Sequence, residues 1–145
     1  MILGLIPTRL NSKRLKEKPL LEIDGLPIIV HTFKRAMLAK KLDEVIVCAD
    51  DKKIVDVVKQ HGGKVILTSK KHENGTERIN EVAKKRKAKL IVDIQGDEPL
   101  VNPSDIDKVV NFHQQNKNFD IVVPSMLANQ NVSSNNLVKV VFASS

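Results

Sequence analysis

The stretch Ile2-Leu3-Gly4-Leu5-Ile6, followed at once by Pro7-Thr8-Arg9-Leu10-Asn11-Ser12-Lys13-Arg14-Leu15-Lys16-Glu17-Lys18-Pro19, decides how the rest of the chain is read. Apolar residues without polar alternation describe a strand covered on both faces, which is the habit of parallel sheets. The stretch Pro7–Pro19 behind it has neither strand nor helix period and reads as a long loop. It carries five bases, Arg9, Lys13, Arg14, Lys16 and Lys18. Such loops leave the carboxyl ends of strands in open α/β sheets, where ligands bind.

The same alternation continues outward. Asp24-Gly25 marks a turn, and Pro27 opens a helix to about Leu38 with Ile28, Ile29, Thr32, Phe33 and Ala36 on one face. Glu44–Ala49 predicts a second strand, and Ile54, Val55, Val57, Val58 and His61 stripe a second helix stopped by Gly62-Gly63. Lys64–Leu67 predicts a third strand and Thr68–Gly75 a second polar loop. Ile79, Val82 and Ala83 mark a helix, Leu90–Ile94 a fourth strand, and Asn102-Pro103 the start of a helix carrying Ile106, Val109 and Val110. Ile121–Val123 and Val138–Phe142 are further strand candidates, joined by the Asn/Gln/Ser-rich connection Asn129–Asn136. The expected fold is α/β: a mostly parallel sheet flanked by helices, forming one nucleotide-binding domain over residues 1–145.

Composition narrows the function classes. The 145 residues are 41% hydrophobic and 28% charged, enough apolar content for a core and unlike a disordered chain. No apolar run is long enough to span a bilayer and no signal segment opens the chain, so a cytoplasmic setting and no membrane partner are expected. A lone Cys48 excludes an internal disulfide and a multi-cysteine zinc site. The net charge of +7 is uneven: residues 1–89 hold 21 bases against 11 acids, and residues 90–145 hold 3 against 6. That basic front part admits an alternative, a non-catalytic nucleic-acid-binding module. Against it, Lys84–Lys87 of the basic run Lys84–Lys89 falls at the polar end of a helix, and the aromatic share of 3% supplies no stacking platform. No nucleic-acid partner is expected.

Three loops gather at the sheet's carboxyl edge. Like charges held in the first loop repel one another unless an anion neutralises them, and a triphosphate meets that need through charge-assisted hydrogen bonds. Neither GxxxxGK[ST] nor GxGxxG is present, so the phosphates fall to side chains. After the fourth strand comes Gln95-Gly96-Asp97-Glu98-Pro99, an acidic pair beyond a turn-forming glycine, which suits either a helix-capping turn or a hard cation such as Mg²⁺. The loop Ser69-Lys70-Lys71-His72-Glu73-Asn74-Gly75-Thr76-Glu77-Arg78 offers a tight turn, a cap at Thr76, and small polar groups able to read a base edge. His31, His61 and His113 read as structural; His72 alone lies on a site loop.

Taken in order, Ile6-Pro7-Thr8-Arg9-Leu10-Asn11-Ser12-Lys13-Arg14-Leu15, Lys18-Pro19-Leu20, Gly25-Leu26-Pro27-Ile28-Ile29-Val30-His31, Val45–Asp51, His72-Glu73-Asn74-Gly75-Thr76-Glu77-Arg78, Gln95-Gly96-Asp97-Glu98-Pro99 and Leu137-Val138-Lys139-Val140-Val141 resemble the 3-deoxy-D-manno-octulosonate cytidylyltransferases, the CMP-Kdo synthetases. The resemblance implies a nucleotidyltransferase-type fold and an Mg²⁺-dependent cytoplasmic enzyme of lipopolysaccharide synthesis. Its reaction joins CTP and Kdo into CMP-Kdo and pyrophosphate, in a homodimer. It assigns Arg9, Arg14 and Lys18 to the triphosphate and Asp97 to the metal, with Arg9, Lys18 and Asp97 serving catalysis. Pro7 and the Asn74-Gly75-Thr76 turn meet the cytosine, and Arg78 and Gln95 the ribose or sugar acid. Ser12, His72 and Gly96 complete the substrate-binding set. The nearest alternatives are the acylneuraminate cytidylyltransferases, from which the Gln-Gly-Asp-Glu-Pro and His-x-x-Gly-Thr-x-Arg blocks set this chain apart, and other nucleotidyltransferases acting on sugar phosphates, which typically place glycine-rich turns in the first loop.

Four positions depart from the family pattern. Glu17 stands where glycine usually precedes the phosphate-binding lysine, adding a negative charge beside Lys18 and a side chain where backbone room is expected. Asn74 replaces serine, and Cys48-Ala49 replaces Ala-Thr. The family is also longer, so this chain is expected to be its front part, truncated before a second metal carboxylate, the dimer segment and further sugar contacts, and to be slow or inactive in turnover.

Overall fold

The computed structural model describes residues 1–11 and 15–125. β1 (Ile2–Thr8), β4 (Glu44–Ala49), β5 (Lys64–Leu67) and β6 (Leu90–Asp93) form a parallel sheet of order β5-β4-β1-β6. Its helices are α1 (Ile28–Ala36), α2 (Lys52–Gln60), α3 (Gly75–Ala83) and α4 (Pro103–Gln115). A small antiparallel hairpin, β2 (Glu22–Ile23) with β3 (Leu26–Pro27), precedes α1. Its turn residues Asp24 (φ 49°) and Gly25 (φ 75°) are both left-handed, as a two-residue I′ hairpin requires.

The two-residue period of the central strands divides the core. Leu3 and Leu5 of β1 and Ile46 and Cys48 of β4 pack with Ile79 and Val82 of α3. Ile6, Val47 and Ala49 turn to the other face, where Ile29, Val30 and Phe33 of α1, Ile54 and Val58 of α2 and Ile106 of α4 cover them. Both faces are sealed, which explains the unbroken apolar runs in the sequence. Cys48 is fully buried in this core, and burial pushes its thiol pKa up to about 12, so it serves as a small apolar residue.

Several boundaries differ from the sequence expectation. β1 runs through Pro7 to Thr8 rather than stopping at Ile6. Pairing with β6 ends at Leu5–Asp93, so one flank of β1 is open at Pro7, the setting in which a missing N–H is tolerated. The loop beyond contains a short 3₁₀ turn, Lys18–Leu20. Asn74, not Thr76, caps α3: its Oδ1 accepts the Glu77 N–H at 2.9 Å, while Glu77 accepts the Asn74 amide at 3.0 Å and the Glu73 N–H at 2.9 Å. The basic run from Lys84 begins at the C-cap of α3 and continues past the helix. Ile121–Val123 forms no strand, and Ile121 and Val123 stand exposed. Val138–Phe142 lies outside the described residues. His31 (Nε2 to the Ile23 carbonyl, 2.8 Å) and His61 (Nδ1 to the Val57 carbonyl, 2.9 Å) hold the backbone, as their structural reading expected.

Candidate nucleotide-binding site

At the carboxyl edge of the sheet, a cavity of about 650 Å³ is bordered by Pro7, Thr8, Arg9, Leu15, Lys18, Pro19, His72, Glu73, Asn74, Gly75, Arg78, Gln95, Gly96 and Asp97. Ten residues singled out from the sequence are therefore brought together: Pro7, Arg9, Lys18, His72, Asn74, Gly75, Arg78, Gln95, Gly96 and Asp97. Ser12 and Arg14 lie outside the described residues. Thr76 is not in the cavity. With the cap at Asn74, Thr76 already belongs to the first turn of α3 and borders a second, mostly apolar groove of about 1050 Å³ between β6, α3, α4 and residues 121–124. Glu98 also lines that groove, so of the acidic pair only Asp97 reaches the polar cavity.

Each loop is set by the strand it leaves and by one or two long-range contacts. Gly96 sits where a Cβ would come within 2.7 Å of the Pro7 carbonyl oxygen, so only glycine lets the loop after β6 pass this close to β1. Buried Thr32 of α1 donates its hydroxyl to the Ile28 carbonyl at 3.1 Å and to the Gly96 carbonyl at 3.2 Å, fastening that loop from beneath. On the opposite side Gly75 brings the start of α3 against the Pro7 ring, 3.1 Å from the position of an added Cβ.

Charge at the site is organised in two ways. Lys18 Nζ donates to Asp97 Oδ2 at 2.6 Å across 79 residues of sequence, and both side chains remain substantially exposed. The expected phosphate cation and the expected metal carboxylate thus neutralise each other. Arg9 makes no ion pair among the described residues. Glu17 adopts φ 53°, which accounts for a glycine being usual at that place, and its carboxylate accepts from Lys53 of α2 at 2.6 Å rather than competing for Lys18. Arg78 is 3% exposed, and its guanidinium is already committed: Nη1 donates to Thr68 Oγ1 at 2.6 Å and to the Ser69 carbonyl at 3.1 Å, and Nη2 lies 3.7 Å from Asp50 Oδ2. Its role beside ribose or sugar acid is therefore confined to whatever its edge presents to the cavity. Asn74 is likewise committed to capping, which leaves the backbone around Pro7 and Glu73–Gly75 as the surface able to read a base.

His72 Nε2 donates to Glu81 Oε2 at 2.7 Å, the only sense possible toward a carboxylate, and Nδ1 stands 3.8 Å from Glu77. Glu81 also accepts the Ser69 N–H at 3.0 Å, and these hydrogen bonds, the Ser69 one foremost, hold its pKa down to about 2. Asp50, Thr68, Thr8 and Glu73 were not picked out from the sequence, yet they build or line the site. The signal for Asp50 and Thr68 was present: each directly follows a parallel strand at its carboxyl end.

Among the described residues no group of three His, Cys, Asp or Glu side chains is placed to hold a metal ion. One carboxylate completed by phosphate oxygens and water is nevertheless a normal way to bind Mg²⁺, and Asp97 at the cavity rim fits it. No described helix is long and apolar enough to cross a membrane.

Comparison with known proteins agrees with this arrangement. The cytidylyltransferase family pattern matches residues 3–145. The chain is 42% identical over 109 residues to a 3-deoxy-manno-octulosonate cytidylyltransferase of Geotalea daltonii, covering 75% of this chain and 43% of that protein. It is 41% identical over 124 residues to an 8-amino-3,8-dideoxy-manno-octulosonate cytidylyltransferase of a Shewanella species, covering 83% and 51%. Among solved structures, a CMP:2-keto-3-deoxy-manno-octonic acid synthetase complexed with CTP superposes with TM-score 0.78 at 38% identity, covering 80% of this chain and 48% of that one. The chain spans about half the length of these relatives. A parallel sheet with its basic and acidic loops at one edge, and a family pattern running nearly end to end, make this chain a member of the cytidylyltransferase family.

Proposed function

We propose that the chain carries the CTP site of an enzyme that transfers CMP from CTP to the anomeric hydroxyl of a 3-deoxy-manno-octulosonate-type sugar acid, releasing pyrophosphate. The observation that carries this reading is the meeting of Arg9, Lys18 and Asp97, from loops 79 residues apart in the case of Lys18 and Asp97, at one cavity rim. The Lys18–Asp97 pair is exposed enough to be worth little by itself, so an arriving triphosphate displaces it at small cost. Lys18 and Arg9 then hold the outer phosphates, and Asp97 is freed for Mg²⁺. Bound there, the ion supplies Lewis-acid neutralisation of the developing pyrophosphate charge.

Little of the chemistry needs a protein nucleophile. The sugar hydroxyl attacks the α-phosphorus in line and gives its proton to water, the α–β bridging oxygen leaves with the pyrophosphate, and positioning and charge stabilisation provide the rate. The backbone around Pro7 and Gly75 faces the cytosine, and Gln95 with His72 lies toward ribose and sugar. Kdo and its 8-amino analogue, named for two relatives, are both within the substrate class; Mg²⁺ dependence, a homodimer and a cytoplasmic location belong to the same proposal. Calorimetric titration with CTP, UTP, ATP and GTP in Mg²⁺ tests it. Preference for CTP is expected, and equal affinity for all four would overturn it.

A further inference from the structure

Among the described residues, Asp50 is the one charged group that touches both the start of the basic loop and the buried arginine behind the cavity. It directly follows β4, with its side chain mostly buried. Its Oδ1 accepts the backbone N–H of Leu10, 40 residues away, at 2.8 Å. Its Oδ2 faces Arg78 Nη2 at 3.7 Å. Arg78 is locked in turn by Thr68, whose hydroxyl donates to the Ala49 carbonyl at 2.8 Å. Leu10 is the residue after Arg9, and its side chain is buried in the core. The carboxylate therefore pins the chain one residue beyond the phosphate-binding arginine, where β1 ends and ladder hydrogen bonds no longer fix the path.

Building on the CTP-site reading above, we infer that Asp50 is a positioning residue for the triphosphate: through the Leu10 N–H and Arg78 it sets where Arg9 leaves the sheet. Arg9 has no ion pair of its own among the described residues, so its aim depends on the backbone from which it springs. A group that orders this backbone before the ligand arrives affects the outer phosphates, which Arg9 meets, far more than the nucleoside monophosphate portion.

The test uses the whole chain and three variants. Asp50→Ala removes both contacts; Asp50→Asn keeps an acceptor for the Leu10 N–H; Asp51→Asn alters the neighbouring carboxylate that caps α2 and pairs with Lys70. Amide hydrogen exchange by NMR and calorimetric binding of CTP and CMP in Mg²⁺ are read for each. In Asp50→Ala the Leu10 amide loses protection and CTP binding falls by about tenfold or more, the scale of one misplaced charge-assisted hydrogen bond, while CMP binding falls by less than about threefold. Asp50→Asn restores Leu10 protection and brings CTP back to within about threefold of the parent, and Asp51→Asn leaves the CTP-to-CMP ratio unchanged. Equal losses for CTP and CMP in Asp50→Ala, or unaltered Leu10 exchange, overturn the inference. A parent chain that binds no CTP overturns the nucleotide reading instead, and the Leu10 exchange then decides by itself whether Asp50 orders this loop.

Discussion

On the wall formed by the loop after β1, charged groups pair at the water surface: Lys18 with Asp97 and Glu17 with Lys53, both at 2.6 Å. On the wall formed by the ends of β4 and β5 and by α3, the innermost pair is out of water: Arg78 is 3% exposed and held by Thr68, Ser69 and Asp50. The first kind of contact is weak and exchangeable, and the second is costly to break, because removing one partner strands a buried charge. On the proposed reading, an arriving triphosphate trades the pairs of the first wall while the second wall keeps its shape.

The comparison breaks first at Arg78. Arg78→Met leaves Asp50 facing an apolar chain and Thr68 without its donor, and is expected to lower unfolding free energy by about 3–5 kcal/mol in urea. A loss below about 1 kcal/mol, as for a surface pair, would erase the distinction between the walls.

Lys18→Ala probes the other wall and has two readouts. Stability changes by no more than about 1 kcal/mol. CTP affinity drops by about 1.5–3 kcal/mol, with CMP affected much less. Parallel losses for the two nucleotides would take Lys18 off the outer phosphates. Gly96→Ala tests the floor between the walls: a methyl 2.7 Å from the Pro7 carbonyl forces backbone to move, at about 1–3 kcal/mol in a denaturant melt. An unchanged midpoint would show the floor to be soft.

Glu17 gives a smaller effect with a definite order. Glu17→Ala keeps a left-handed residue and drops the Lys53 pair, while Glu17→Gly drops the pair and relieves the φ 53° backbone. Thermal melts are expected to rank Glu17→Ala lowest, with Glu17→Gly within about 0.5 kcal/mol of the parent, since the two terms in it nearly cancel. A pH dependence is expected at Glu81. Its folded pKa of about 2 lies below the ordinary carboxylate value of 4.5, so its stabilising share is complete above 4.5 and fades as pH falls toward 2. The difference in melting temperature between the parent and Glu81→Gln should accordingly shrink across that window; a difference constant with pH would detach Glu81 from the Ser69 and His72 contacts.

The sequence by itself determined the sheet and the edge at which function gathers. Continuous apolar runs such as Ile2–Ile6 and Val45–Ala49 state that both faces are covered, and the loops that follow must then leave at one edge, which puts Arg9, Lys18, His72 and Asp97 on the same side of the sheet. Helix stripes were equally legible, because burial imposes the period locally. Tertiary structure alone decided what each polar group is free to do. Arg78 and Asn74 have the right chemistry for ligands, yet Thr68, Asp50 and Glu77 have already engaged them. Thr76 was displaced from the cavity by a cap set two residues earlier, and Glu17 was turned from Lys18 to Lys53. These outcomes depend on partners 28 or more residues away for Glu17 and Asp50, or on which of two nearby polar residues wins a cap. Hydrogen-bond competition of that kind is settled by distances in the folded molecule, which a local pattern of residue types does not contain.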